Sequence, residues 1–341
     1  MAYTTIDNPE LYFQTKLWTG TGSEIAATLD GSENMQPDLV AIKARTDAES
    51  HKVYDSVRGV TKHIEFDTTD AEATEAQGLK SFDSDGFTIG TYSSINASSS
   101  HTYVAWCWKE SATAGFDIVA YTGSGSAHTI SHSLSAVPKA MIMKGRSFSD
   151  GWIPYFKTTG NPIILALDDT VADRYSSRWS PFFNSTEPTS SVFTVGTDSA
   201  INTSSGTHIA YLWSEKQGFS KVGKFTGNGS ATDGAFVYTG FRPAWVMCKR
   251  TDSTGSWYIC DNKRLGFNDR PNNAVVGNPE LSAHSNRSEA GGNTNVMDIF
   301  SNGFKLIQSG AEINASGGTF IFMAFADSPF TNSSGVPNNA R

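Results

Sequence analysis

Three stretches of this 341-residue sequence carry one pattern: Trp18-Thr19-Gly20-Thr21-Gly22-Ser23, Tyr121-Thr122-Gly123-Ser124-Gly125-Ser126 and Phe225-Thr226-Gly227-Asn228-Gly229-Ser230. Their threonines, 19, 122 and 226, are 103 and 104 residues apart. Further landmarks keep one order in every unit. A proline opens an apolar run that ends in lysine at Pro37 to Lys43, Pro138 to Lys144 and Pro243 to Lys249. Fourteen residues after each proline stands His51, Trp152 or Trp257. A block led by Phe87, Phe193 or Phe304 runs on to Ile95-Asn96, Ile201-Asn202 and Ile313-Asn314. An apolar run then closes each unit, at 102–108, 207–213 and 319–325.

A period of about 105 residues is too long for a propeller blade or a solenoid turn. It suits a β-sandwich, for which about 100 residues is usual. The units are built of short β-branched and aromatic runs separated by Gly, Asn, Ser and Pro clusters. Asp83-Ser84-Asp85-Gly86 and Ser301-Asn302-Gly303 read as tight turns, because glycine tolerates positive φ. The closing runs are apolar on both parities, with Tyr103, Ala105 and Cys107 alternating with Val104, Trp106 and Trp108. Such a strand is covered on both faces. The expected architecture is all-β: three tandem β-sandwich domains with a short N-terminal arm. Their bounds are 1–15 for the arm, 16–115, 116–217 and 218–330 for the repeats, and 331–341 for a polar tail. In the arm, Asn8-Pro9-Glu10 supplies an N-cap, an N1 proline and a first-turn acid for one short helical turn. Pro9, Tyr12 and Phe13 are candidate docking residues, or the arm straps the first repeat shut.

Composition narrows the function. Apolar residues make up 38% and charged ones 18%, a balance that fits β-structure with polar turns rather than coiled coil. The net charge of −8 disfavours a nucleic-acid binder, which needs a basic surface against phosphates. The acidity is concentrated: residues 1–115 hold 8 Lys/Arg against 17 Asp/Glu, whereas 218–341 hold 11 against 9. That asymmetry serves solubility, or turns the first repeat toward a basic neighbour. No apolar run is long enough to span a bilayer. The N-terminus lacks the basic and apolar regions of a signal peptide. The three cysteines, Cys107, Cys248 and Cys260, do not make a disulfide framework, and free thiols are expected.

No catalytic constellation emerges. His128 and His132, four apart on a strand, are roughly 13 Å apart and cannot share a metal ion. Asp83-Ser84-Asp85-Gly86 lacks the remaining ligands of a calcium loop. Asp168 and Asp169 point to opposite faces of a strand rather than across a substrate. The Gly-x-Gly loops lack the completing residues of a phosphate-binding loop. We therefore expect no enzyme activity, no cofactor and no metal. What remains is aromatic surface: His51, Trp152 and Trp257 occupy equivalent places that accept imidazole or indole, and so are expected outside the deep core. Tyr155, Arg178 and Trp179, the last two in a loop-like context, complete the candidates for a sugar platform or an interface.

The opening Met1-Ala-Tyr-Thr-Thr-Ile-Asp-Asn8, with Tyr12-Phe13-Gln14-Thr15, resembles tail-fibre-like proteins of phages that infect aquatic bacteria. So do Tyr-Thr-Gly-x-Gly-Ser, Ile130-Ser-His132-Ser-Leu134, Pro-x-x-x-x-x-Lys, Phe193-Thr-Val-Gly and Tyr103-Val-Ala-Trp-Cys-Trp108. The likeness runs from residue 1 to about 330. It implies a virion protein that assembles with itself, a trimer suiting a fibrous part, and with other virion proteins. A host surface glycan or protein would be its attachment target. A capsid decoration or a tail connector is the alternative. The resemblance transfers no catalytic residue. The first unit departs from it, with Glu24-Ile25-Ala26-Ala27 where the second has its histidine segment.

Overall fold

The computed structural model describes every residue except 1, 99, 159–161, 174–176, 178, 265–279, 290–295 and 338–341. As the patterning predicts, the fold is all-β, and its α-helices among the described residues are single short turns. In the first repeat, strands Phe13–Thr19, Thr102–Trp108, Leu39–Ala44 and Lys52–Asp55 lie side by side in that order, all antiparallel. The second repeat orders Phe116–Thr122, Thr207–Trp213, Ala140–Gly145, Ile153–Phe156 and Ile163–Ile164 in the same way. The third orders Ser220–Thr226, Thr319–Pro329, Phe241–Arg250, Trp257–Asp261 and Leu281–Ser282. Each large sheet carries a smaller one on one face. Ile25–Ala27 pairs with Gly86–Ile89, His128–Ser131 with Val192–Val195, and Phe236–Tyr238 with Gly303–Leu306.

The closing strand lies second in each large sheet, paired along both edges, and its alternation decides what packs where. Ala105 and Cys107 join Val40, Ile42, Phe87 and Ile89 beneath the small sheet of the first repeat. Val104, Trp106 and Trp108 turn the other way, into a core that also holds Ile209, Tyr211, Trp213, Ile321, Met323 and Phe325. At its middle, Trp108, Trp213 and Phe325 meet as a triangle of rings, with centroids 6.3, 5.6 and 6.5 Å apart. These three positions are equivalent by strand register, opposite Leu39, Ala140 and Trp245. The repeats are therefore arranged cyclically about one shared aromatic centre.

The landmark blocks now have physical causes. Gly22, Gly125 and Gly229 have φ of 68°, 74° and 70°, a left-handed conformation that glycine adopts without strain. Each loop is clamped by the buried asparagine of the Ile-Asn block. Asn202 Nδ2 donates to the Ser126 carbonyl at 2.9 Å and to the Gly196 carbonyl, while Oδ1 accepts from Ser124 N–H at 2.8 Å. Asn96 and Asn314 repeat this with Thr21 and Ser23, and with Asn228 and Ser230. Asn202→Ala strands these buried partners and is expected to cost about 2–3 kcal/mol in urea unfolding, while a loss below about 0.5 kcal/mol would refute the clamp.

The arm does form the expected turn, a short 3-10 helix Pro9–Leu11, with the Asn8 side chain accepting from Glu10 N–H at 3.1 Å. It straps the first repeat to the third. Phe13 stacks on Phe325 at 5.3 Å, Tyr12 meets Phe219 edge-on at 6.0 Å, and Thr4 Oγ1 donates to the Gln217 carbonyl at 2.7 Å. Pro9 and Phe13 are buried within the chain.

Candidate functional site

At each junction between repeats one of the candidate rings, standing at the start of a strand, reaches a backbone carbonyl of the neighbouring repeat. Trp152 Nε1 donates to the Glu65 carbonyl at 2.6 Å, and Trp257 Nε1 to the Ala166 carbonyl at 2.8 Å. His51 Nε2 lies 3.0 Å from the Ser282 carbonyl and completes the cycle. The expectation that these positions lie outside the deep core fails. His51 and Trp152 are 0% exposed and Trp257 is 1%. The reason is the shared carbonyl: imidazole and indole both bring a ring N–H to it, so either ring can be buried without an orphaned donor. Burial, with Lys43 nearby, pushes the His51 imidazole down to about 3 and keeps it neutral.

The preceding lysines are equally buried. Lys43 Nζ donates to the carbonyls of Ala44 and Asp47 at 2.7 and 3.2 Å. Lys144 reaches back to Thr69 of the first repeat at 2.9 Å, and Lys249 to Thr170 of the second at 3.1 Å. Burial pulls all three amines down to about 8, opposed by Asp67, Asp168 and Asp169 respectively. Their donors are spent on backbone, so they serve as rivets.

An Asp-x-x-Arg signature at matched positions, Asp55 to Arg58 and Asp261 to Arg264, is not among the sequence candidates, and it builds two buried networks. Asp55 pairs with Arg58, both side chains 0% exposed, and accepts from Tyr211 OH of the second repeat at 2.6 Å. Arg58 also faces Glu72 at 3.6 Å, which Arg146 holds at 2.9 Å. Between the third and first repeats, Asp261 pairs with Arg264 at 2.6 Å and accepts from Trp106 Nε1 at 2.9 Å. Glu289 there receives Arg264 at 3.2 Å and Arg45 at 2.7 Å. The second repeat has Phe156 in place of the aspartate, packed 6.0 Å from Trp257.

The remaining candidates are placed as follows. Tyr155 is buried against Phe183, with ring centroids 5.0 Å apart. Trp179 opens a short helix, Trp179–Phe183, instead of lying in a loop. Pro181 fits the first turn, where its missing N–H costs nothing, and the half-buried ring packs on the core of the second repeat. Arg178 lies outside the described residues. The three cysteines are free and buried. His128–Ser131 is a strand, and among the described residues no His, Cys, Asp and Glu group could hold a metal ion.

Between the first residues of the strands Ile153–Phe156 and Trp257–Asp261 and the short helix, the second and third repeats have an open cleft. In the second repeat it spans about 370 Å³ and is acidic, with Asp150, Asp168, Asp169 and Asp198. In the third it spans about 270 Å³ and is lined by Ser256, Tyr258, Glu280, His284, Arg287 and Glu312 among others. The first repeat has Lys52 where the others have Ile153 and Tyr258, and there Lys52 pairs with Glu65 beneath the Tyr92 ring.

The third cleft is internally organised. Ser256 Oγ and N–H and Tyr258 OH all donate to Glu312 Oε2, at 2.8, 3.2 and 3.1 Å. Burial works to raise the Glu312 carboxyl, and these hydrogen bonds overcome it and hold it below the usual range. Glu280 is raised, by burial and then by Glu312. His284 accepts Trp257 N–H on Nδ1 at 3.3 Å, and burial lowers its pKa. Sequence reading misses this cleft because Glu280, His284 and Arg287 belong to no landmark block.

A family model described as a domain of unknown function, DUF7483, matches residues 8–329, taking in all three repeats. Among curated proteins none matches the chain.

Proposed function

The chain belongs to the DUF7483 family, and we propose that it is a non-enzymatic virion part, a phage tail-fibre or spike component that attaches to the host surface. One observation carries the attachment part of this reading. The three repeats provide an internal comparison, and their shared residues are spent on scaffold: the asparagine clamps, the lysine rivets and the ring N–H contacts. The lining beside the short helix differs in every copy: a Lys52–Glu65 ion pair in the first, acidic in the second and mixed in the third. Invariant scaffold beside variable concave lining is the economy of a binding protein, since recognition resides in sites rather than in the fold. The virion context is implied by the sequence resemblance, which extends over the same span.

The test is gold-tagged antibody against this chain on purified particles. Gold at the distal tail appendages is expected. Gold on the capsid or tail tube would favour a decoration or connector, a reading to which the acid-rich first repeat lends its charge. No gold on particles would remove the virion reading. Release of reducing ends from host surface polymer, abolished by Glu280→Gln, would overturn the non-enzymatic reading, because oppositely tuned carboxylates are the equipment of glycoside cleavage.

A further inference from the structure

We propose that the cleft of the third repeat binds a single neutral sugar residue of a glycan, held between Glu312, His284 and Arg287 with Tyr258 as its floor. The proposal rests on the attachment reading only for the source of that glycan.

The argument begins with unused hydrogen-bonding capacity. Three donors converge on Glu312 Oε2, whereas Oε1 takes no bond among the described residues. A carboxylate oriented through one oxygen presents the other as a fixed acceptor. His284 accepts on Nδ1, so its proton is on Nε2, which makes that atom a donor. Arg287 is exposed and adds donors of opposite charge to Glu312. An oriented acceptor and ring and guanidinium donors lining one cleft beside an aromatic ring suit the vicinal hydroxyls and the apolar face of a pyranose.

Charge and size exclude the other ligand classes. The lining carries two carboxyls, Glu280 and Glu312, against one guanidinium, Arg287, with the nearby Lys249 amine spent on backbone carbonyls, a balance that disfavours an anion such as phosphate. A bare metal ion finds no ligand group among the described residues, and Arg287 opposes it. About 270 Å³ lies just below the range of drug-sized sites, room for one ring rather than a longer chain. The equivalent cleft of the second repeat has Gly151, Ile153 and Ala200 where the third has Ser256, Tyr258 and Glu312, so it lacks the oriented carboxylate. Repetition of a weak site in an assembled particle would raise its effect by avidity.

The experiment uses the full chain and saturation-transfer NMR with glucose, galactose, mannose and N-acetylglucosamine as probes. At least one should bind at the millimolar level. Glu312→Gln and Arg287→Ala should each weaken it about tenfold to a hundredfold, the effect of one charge-assisted hydrogen bond. A control lies on the outer sheet of the same repeat, where Phe236 and Phe300 form an exposed ring pair 6.0 Å apart. Phe236→Ser should leave binding unchanged. Absence of transfer to all four sugars overturns the proposal. So does binding that survives both cleft variants, or binding lost only in Phe236→Ser. Gold labelling away from the appendages would sink the attachment reading and leave a positive sugar titration standing.

Discussion

Arg58→Ala is expected to destabilise the chain by about 3–5 kcal/mol, a large part of the roughly 5–15 kcal/mol that holds a folded domain together. The guanidinium is completely buried, and it touches Asp55, the Val53 carbonyl at 2.7 Å, Tyr211 OH at 3.3 Å and, more distantly, Glu72. Removing it leaves the Asp55 carboxylate uncompensated in a dry junction, with only Tyr211 OH and the Arg58 N–H donating to it. The cost of an unpaired buried charge, rather than the strength of the pair itself, sets the magnitude. Asp55 has a native apolar counterpart, Phe156, at the same place in the second repeat. Asp55→Leu combined with Arg58→Met should therefore cost less than either single change. Urea unfolding of the wild type, Asp55→Leu, Arg58→Met and the double variant forms a double-mutant cycle, with Arg58→Ala measured beside it. Additive losses would mean that the two side chains do not act as a unit, and a loss under about 1 kcal/mol for Arg58→Ala would mean that water reaches the junction.

The same junctions show how far sequence reading extends. Periodicity identified the closing strands as covered on both faces, because alternation is a local property of the chain. What covers the inner face is not local. Trp108 is covered by Trp213 and Phe325, more than a hundred and more than two hundred residues away. His51 was expected nearer the surface because residue type was the only evidence, and the Ser282 carbonyl that permits its burial belongs to another repeat. The Thr-Gly-x-Gly-Ser and Ile-Asn blocks were each visible as repeats, yet their spacing does not reveal that one clamps the other. Trp179 read as loop because Ser and Pro flank it, although proline is welcome in a first helical turn. The third cleft was invisible for a different reason. Glu312 replaces Ser94 and Ala200 on a one-turn helix, a single change whose meaning depends on Ser256 and Tyr258 across the groove.

Acidification should begin to destabilise the protein near pH 6.5, above the range in which ordinary carboxylates titrate, and His51 is the group to watch. Its folded pKa is depressed to about 3 by burial and then by Lys43, against 6.5 for the free side chain. Below pH 6.5 the unfolded chain takes up a proton there that the folded chain refuses. The stability contribution is therefore whole above pH 6.5 and is lost as pH falls toward 3. At about 1.4 kcal/mol per pH unit, this one residue removes about 5 kcal/mol across the window. His63 and His208 are pulled down to about 4, both chiefly by burial, and act in the same direction. Glu110 opposes them. Burial, then Asp117, raises it to about 7, so it contributes stability that grows as pH falls from 7 toward 4.5. Glu280 and Asp168, raised chiefly by burial, oppose them too, while His284, lowered by burial, adds to the loss, so the His51 contribution is read as a difference between two proteins. His51→Gln retains an N–H for the Ser282 carbonyl and removes the proton. Urea unfolding of both proteins at intervals from pH 7.5 to 4.5 reads the difference as a slope, whatever the variant's starting stability. The wild-type curve should fall more steeply by about 1.4 kcal/mol per pH unit below pH 6. Parallel curves would show that His51 takes up its proton in the folded state, and with it that the junction between the third and first repeats is open to water.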